Sequence, residues 1–300
     1  MSLRVLAGVE MGGTKCNCIL GTGPEDIRAQ VVIPTRDPAT TLPEIAGVLE
    51  GWSASHGPLA AVGVAAFGPV DLRRDSRTYG RIGATPKPGW EGVDLFGFFS
   101  KRFTVPVGLT TDVIGAALAE GRWGDARTLT DFAYVTVGTG VGVGLIGGGR
   151  PIIGCHHPEL GHIRIARRPG DSWPGSCRFH GDCVEGLASG PAIEARAGTA
   201  AANLSSDSPV WETVAHALAQ LSHTLVLAVA PQRILIGGGV ISGQTHLFPR
   251  IRQLFTLSLN GYLQTVEITS GLDRYIVPPG LGTGAGPLGA LAVAADCASS

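Results

Sequence analysis

Three glycine-rich turns, each set at the end of a short apolar strand, restrict what this chain can fold into more than any other feature. The first strand, Arg4 to Glu10, runs into Met11-Gly12-Gly13-Thr14-Lys15, and Cys16 to Leu20 reads as strand again, the pattern of a β-hairpin. Phe132 to Val137 and Val141 to Ile146 flank Gly138-Thr139-Gly140 in the same way, and the strand Arg233 to Ile236 leads into Gly237-Gly238-Gly239. Ala60 to Ala66 and Val105 to Leu109 add strands. Helical spacing of apolar residues marks Thr40 to Trp52, Val113 to Gly121, about 209 to 230, Leu247 to Leu257 and Ala285 to Ala295. Strands alternating with helices predict an α/β protein. A strand, Gly-Thr turn, strand unit that occurs twice predicts two similar halves with a cleft between them.

A turn such as Gly12-Gly13-Thr14 can aim backbone N–H groups and a hydroxyl at phosphate oxygens, because no side chain blocks the approach. One such turn is compatible with an ordinary hairpin; three point to a nucleotide. Lys15 follows a single Gly-Gly-Thr and does not close the longer spacing of a Walker A loop, and no G-x-G-x-x-G opens a helix after the first strand, which speaks against P-loop and Rossmann folds.

Cys177, His180 and Cys183 place three metal-ligand side chains within seven residues, and His162 precedes them by fifteen. Four such ligands suit tetrahedral zinc, and four protein ligands make the site structural. Cys155, His156 and His157 stay open as replacements for the fourth ligand. Six cysteines at uneven spacing do not form a disulfide framework in a chain this long. A formal net charge of -1 offers nucleic acid or an anionic membrane no long-range attraction. No apolar run reaches a membrane span and Met1 to Gly8 has no signal-peptide pattern, so a cytoplasmic protein is expected.

Glu10 to Lys15 (EMGGTK), Gly138 to Gly142 (GTGVG) and Ile236 to Gly239 (IGGG) resemble the phosphate and adenosine motifs of the actin-like ATPase superfamily. Glu159-Leu160-Gly161-His162 followed by Cys177-x-x-His180-Gly-x-Cys183-x-Glu185 resembles the ROK family of sugar kinases and related repressors, and the Cys-x-x-His-Gly-x-Cys form resembles its fructokinase branch. The resemblance implies the two-domain actin-like (ribonuclease H-like) fold, with residues 1–115 and 285–300 in a smaller domain and 116–284 in a larger one carrying the zinc loop. It also implies ATP, Mg²⁺ and a structural Zn²⁺ as cofactors, a hexose as substrate and a homodimer.

Phosphoryl transfer to an alcohol needs a proton acceptor. Asp112, between a strand and a helix, is either that base or a helix-capping acid; the resemblance places the catalytic aspartate here. By the same resemblance Glu10, Gly12, Gly13, Thr14, Lys15, Gly138, Thr139, Gly140, Gly237 and Gly238 hold ATP and Mg²⁺. Gly68, Pro69, Thr111, Glu159, His162 and Glu185 contact the sugar, with Glu10 and Thr111 departing from the residues usual in relatives. Thr85-Pro86-Lys87-Pro88-Gly89-Trp90 reads as a rigid, aromatic-tipped loop, and with Phe67-Gly68-Pro69 it resembles the fructokinase sugar entrance. These features predict an ATP-dependent fructokinase. Glucokinase, mannokinase or amino-sugar kinase activity, or a sugar sensor without DNA binding, are the alternatives; a DNA-reading module is not expected, since the phosphate motif lies within the first fifteen residues.

Overall fold

The computed structural model describes residues 5–299; Arg4, the expected start of the first strand, lies outside them. The described chain falls into two compact units. One comprises residues 5–128, Pro151–Pro158 and 284–299, the other Leu129–Arg150 and Glu159–Thr283.

In the first unit, β1 (Val5–Met11), β2 (Lys15–Gly23) and β3 (Asp26–Pro34) form an antiparallel meander. Helix α1 (Pro38–His56) leads to β4 (Leu59–Ala66), α2 (Leu95–Arg102) to β5 (Val107–Thr111), and α3 (Asp112–Trp123) follows at once. The strand order is β3-β2-β1-β4-β5, with β4 parallel to β1 and β5 parallel to β4. Strands β1 and β4 are buried almost throughout, which explains their unbroken apolar sequences. β3 is an edge strand that exposes Ile27, Val31 and Val32, so its sequence lacks the inward and outward alternation that identifies a strand. Helix α1 starts where Asp37 accepts the Thr40 amide at 2.9 Å and Pro38 fills the first turn. The C-terminal helix, Ala285–Ala298, lies against β1 and β4 so closely that a Cβ at Gly63 would collide with the Ala290 carbonyl oxygen. Glycine permits that approach.

Trp90 departs from the expectation of an exposed aromatic tip. Its side chain is fully buried, lies edge-on to Phe67 with ring centroids 5.2 Å apart, and donates its indole N–H to the Arg36 carbonyl at 2.8 Å. A large ring with one polar atom gains most where the ring is buried and the N–H is satisfied, and this position offers both. The loop's tip is therefore not aromatic.

The second unit repeats the plan. β6 (Phe132–Val137) and β7 (Val141–Gly147) form a hairpin continued by the short β8 (Arg150–Pro151). Then come α4 (Val184–Ala188), α5 (Gly190–Ala197), α6 (Val210–Val229), β9 (Arg233–Gly237), α7 (Leu247–Leu259) and β10 (Ile276–Val277). The order is β10-β9-β6-β7-β8, with β9 parallel to β6. Trp211, Val214, Leu218, Leu221 and Leu225 recur three or four residues apart on α6 and share one core with Phe248, Ile251 and Phe255 of α7.

Candidate functional site

Parallel pairing puts three carboxyl ends on one edge of the first sheet, since Met11 pairs with Ala66 and Ala66 with Thr111. With strands about 4.8 Å apart, the chain leaves β1, β4 and β5 within roughly 10 Å. Those exits are Gly12, Phe67 and Asp112. The edge beyond the carboxyl ends of parallel strands is where open α/β sheets bind ligands.

Glu10 is the penultimate residue of β1 and stands opposite Asn17 across the hairpin; the Asn17 amide donates to its Oε2 at 2.5 Å. Burial raises the carboxyl pKa, while the Asn17 bond and the nearby Lys15 ammonium pull it back. Any side chain at Gly286 would strike this carboxylate. Within the turn, the Gly12 N–H is not aimed outward as expected. It donates to the Lys15 carbonyl at 2.9 Å and closes the hairpin, while Thr35 donates its hydroxyl to Gly12 O (2.8 Å) and its amide to Thr14 O (2.9 Å). Gly13, Thr14 and Lys15 are exposed at the tip, where the Lys87 ammonium donates to the Gly13 carbonyl.

Asp112 opens α3, but the capping residue is Thr111, whose hydroxyl accepts the Ile114 amide at 3.2 Å. Thr111 is buried and held by this bond, which explains a threonine where a sugar contact was expected. The Asp112 carboxylate, partly exposed, accepts its neighbour Val113's amide at 2.9 Å. Thr111 is thus the cap, and the Asp112 carboxylate engages a first-turn amide beside it. Gly68 and Pro69, joined by a cis peptide, follow Phe67.

His157, one of the alternative metal ligands, is instead buried in the first unit with Nε2 accepting the Val70 amide at 3.2 Å. An acceptor nitrogen requires the neutral ring, and burial pushes the pKa below its usual 6.5. The folded state thus binds fewer protons here than the unfolded state, so the stabilisation is complete above pH 6.5 and disappears as pH falls through the lower folded value. Melting temperature should drop on acidification below about pH 6.5, and His157→Gln, which keeps an acceptor without titrating, should flatten that part of the profile. Equal acid sensitivity in both proteins would remove His157 as its source.

In the second unit, Gly138 N–H closes its own turn on the Gly140 carbonyl at 2.9 Å, as Gly12 does, and Gly138 O accepts the Gly190 amide at 2.8 Å. Thr139 is exposed at the tip. Gly237 ends β9, and Gly238 takes φ +93 so that the third turn folds back and Val240 N–H reaches Val137 O at 3.0 Å. Two turns therefore meet at the end of β6.

The Glu159 to His162 segment is a single helical turn, Leu160–His162, seated on β7: a Cβ at Gly161 would overlap the Val141 carbonyl oxygen. Glu159 is exposed at its start. Glu185, in the first turn of α4, accepts the Val141 amide through Oε2 at 3.1 Å and turns Oε1 toward His162 Nε2, 3.9 Å away. Glu185 thus joins the second turn to the cysteine loop.

That loop brings ligand atoms of His162, Cys177, His180 and Cys183 within 4.8 Å of one another. Cys177 Sγ lies 3.6 Å from His162 Nδ1 and 3.8 Å from His180 Nδ1, and Cys183 Sγ lies 3.7 Å from His162 Nδ1. A tetrahedral ion with metal–sulfur bonds of about 2.3 Å and metal–nitrogen bonds of about 2.05 Å has sulfur–nitrogen edges of roughly 3.6 Å. The residues fit such an ion. Burial pushes the Cys183 thiol up to about 12, so a thiolate there calls for a cation. Cys177 and Gly181 exchange backbone bonds of 3.1 and 2.8 Å that shape the loop around the ligands.

The sequence pointed to neither Asn17 nor Gly286, and to Lys87 only as part of the sugar-entrance loop and not as a partner of the first glycine turn. Counting back from the turn pairs Glu10 with Asn17, so that contact had a signal; Gly286 and Lys87 reach the site only through tertiary packing.

The ROK family model matches residues 6–297 of this chain. A fructokinase of Pediococcus pentosaceus is 39% identical over 97% of each chain, and a fructokinase of Streptococcus mutans 38% over 99% of each. The crystal structure of a ROK family glucokinase from Streptomyces griseus in complex with glucose and AMPPNP superposes with a TM-score of 0.77 at 25% identity, covering 97% of this chain and 99% of that one.

Proposed function

Because the chain belongs to the ROK family, we propose that it transfers the terminal phosphoryl group of ATP to fructose, forming fructose 6-phosphate. The observation that carries the chemistry is the register placing Gly12, Phe67 and Asp112 at one sheet edge. Fructose is the acceptor of choice because the full-length fructokinase relatives share 38–39% of their residues with the chain.

Asp112, in the first turn of α3 at that edge, accepts the proton of the attacking hydroxyl. The exposed tip Gly13-Thr14-Lys15 holds phosphate, and Thr139 with the Gly237-Gly238 turn serves the nucleotide in the second unit. Glu10, buried beside Lys15 and Asn17, holds Mg²⁺ or its water ligands. When bound, Mg²⁺ neutralises charge on the transferring phosphate. Gly68, Pro69, Glu159, His162 and Glu185 bind sugar hydroxyls; carboxylates and imidazole supply acceptors and donors for a polyol. Zinc held by His162, Cys177, His180 and Cys183 is structural, since its four positions are protein atoms. A cytosolic homodimer completes the reading, supported by exposed Leu227, Leu257, Tyr262 and Val266 in the second unit. No helix among the described residues is long and apolar enough to cross a membrane.

A coupled assay of ADP release over fructose, glucose, mannose and N-acetylmannosamine tests the substrate. Fructose should give the highest kcat/KM by about tenfold or more, the discrimination a few hydrogen-bonded hydroxyls can supply. A better rate with any other hexose would overturn the assignment.

A further inference from the structure

Lys87 belongs to the loop Thr85 to Trp90, seventy-odd residues from the first glycine turn in sequence, yet its ammonium donates to the carbonyl of Gly13 at that turn's tip. It also stands 5.9 Å from the centre of the Phe67 ring, at the exit of β4. The loop does not need this contact to keep its place. Trp90 is buried and bonded to Arg36 O, the Val93 amide donates to Trp90 O at 3.2 Å, and the Trp90 amide to Lys87 O at 3.3 Å. A fixed stem thus presents a charged tip.

The turn shows the complementary need. Backbone and hydroxyl bonds grip Gly12 and Thr14, whereas the carbonyl of Gly13 is gripped by Lys87. A Cβ built on Gly13 would meet nothing within 4 Å, so packing does not constrain the tip. Glycine there loses the most conformational freedom when it is held still, and a turn that receives a phosphate must be held before the phosphate arrives. A neutral donor would hold a carbonyl as well. An ammonium adds a compact positive charge and three donors, of which the Gly13 carbonyl takes one.

We propose that Lys87 is a positioning residue for the transferred phosphate: it fixes the tip of the Gly12-Gly13-Thr14 turn and places a positive charge beside the phosphoryl group held there. The proposal rests on the kinase reading above. The phosphate concerned is the terminal one, because the same sheet edge carries Asp112, which must meet the sugar hydroxyl that attacks it.

The test compares Lys87→Met, similar in length and uncharged, with Lys87→Arg. Calorimetric titrations use MgATP and MgADP as probes, alongside steady-state kinetics and thermal unfolding. Loss of one charged contact to a phosphate should weaken MgATP binding by about tenfold in Lys87→Met and MgADP binding by less than about twofold. It should lower kcat by about tenfold or more with the KM for fructose nearly unchanged, as for an interaction that strengthens toward the transition state. Lys87→Arg should recover most of both losses, and all three proteins should melt together. The proposal is overturned if MgATP and MgADP weaken alike, if only the melting temperature falls, or if the KM for fructose rises while kcat is kept. A wild-type protein that binds MgATP but phosphorylates no hexose would refute the kinase reading alone, and the two titrations would still decide the role of Lys87.

Discussion

Asp112→Asn is expected to lower kcat by about 10²–10⁴, the range associated with a positioned general base, while the protein stays folded. The change is isosteric. An asparagine oxygen can still accept the Val113 amide, and Thr111 continues to cap α3, so the helix start is preserved. What disappears is the proton acceptor and one negative charge at a helix N-terminus, the latter worth about 0.3–1 kcal/mol. On a unit of this size that shifts melting by about 1–4 °C. Rates from the coupled assay and unfolding followed by circular dichroism separate the two effects. Activity within a factor of ten of wild type would remove Asp112 as the base, and a collapse in melting temperature would assign it to the fold.

Stripping the Cys/His site is the second large effect. Treatment with a strong chelator, or Cys183→Ser, should lower the melting temperature by about 10 °C, taking roughly 4 kcal/mol for loss of a structural metal and about 2–4 °C per kcal/mol for a domain of this size. The donors stand 3.6–3.8 Å apart, a spacing that a tetrahedral ion would hold together, and burial of Cys183 opposes ionisation of its thiol unless a cation lies beside it. The Arg164 to Gly181 stretch contains no helix or strand of its own to hold it. Because His162 faces Glu185, which in turn holds the Val141 amide, the KM for fructose should rise together with the loss of stability. Elemental analysis should find about one zinc per chain. A metal-free preparation with full stability and unchanged KM would rule out a metal role.

The legibility of the site varied with the range of the interactions that build it. The Cys/His cluster was readable because three of its four ligands lie within seven residues, where a loop can close on itself. The glycine turns were readable as turns, yet the fate of each amide was not: Gly12 and Gly138 spend their N–H groups closing their own hairpins. Edge strand β3 left no alternating pattern because residues on both of its faces, adjacent Val31 and Val32 among them, are exposed.

By itself, then, the amino-acid order determined the α/β alternation, the places of the glycine turns, the close spacing of three members of the Cys/His cluster and the family, since each depends on neighbours close along the chain or on motifs that survive intact. Tertiary structure decided which groups are spent and which are presented. It buried Trp90, engaged Thr111 as a cap and His157 as an acceptor, set Gly286 against Glu10, and carried Lys87 to Gly13. Those outcomes turn on competition for burial and for hydrogen-bond partners between segments far apart in sequence, and only the packed chain resolves that competition.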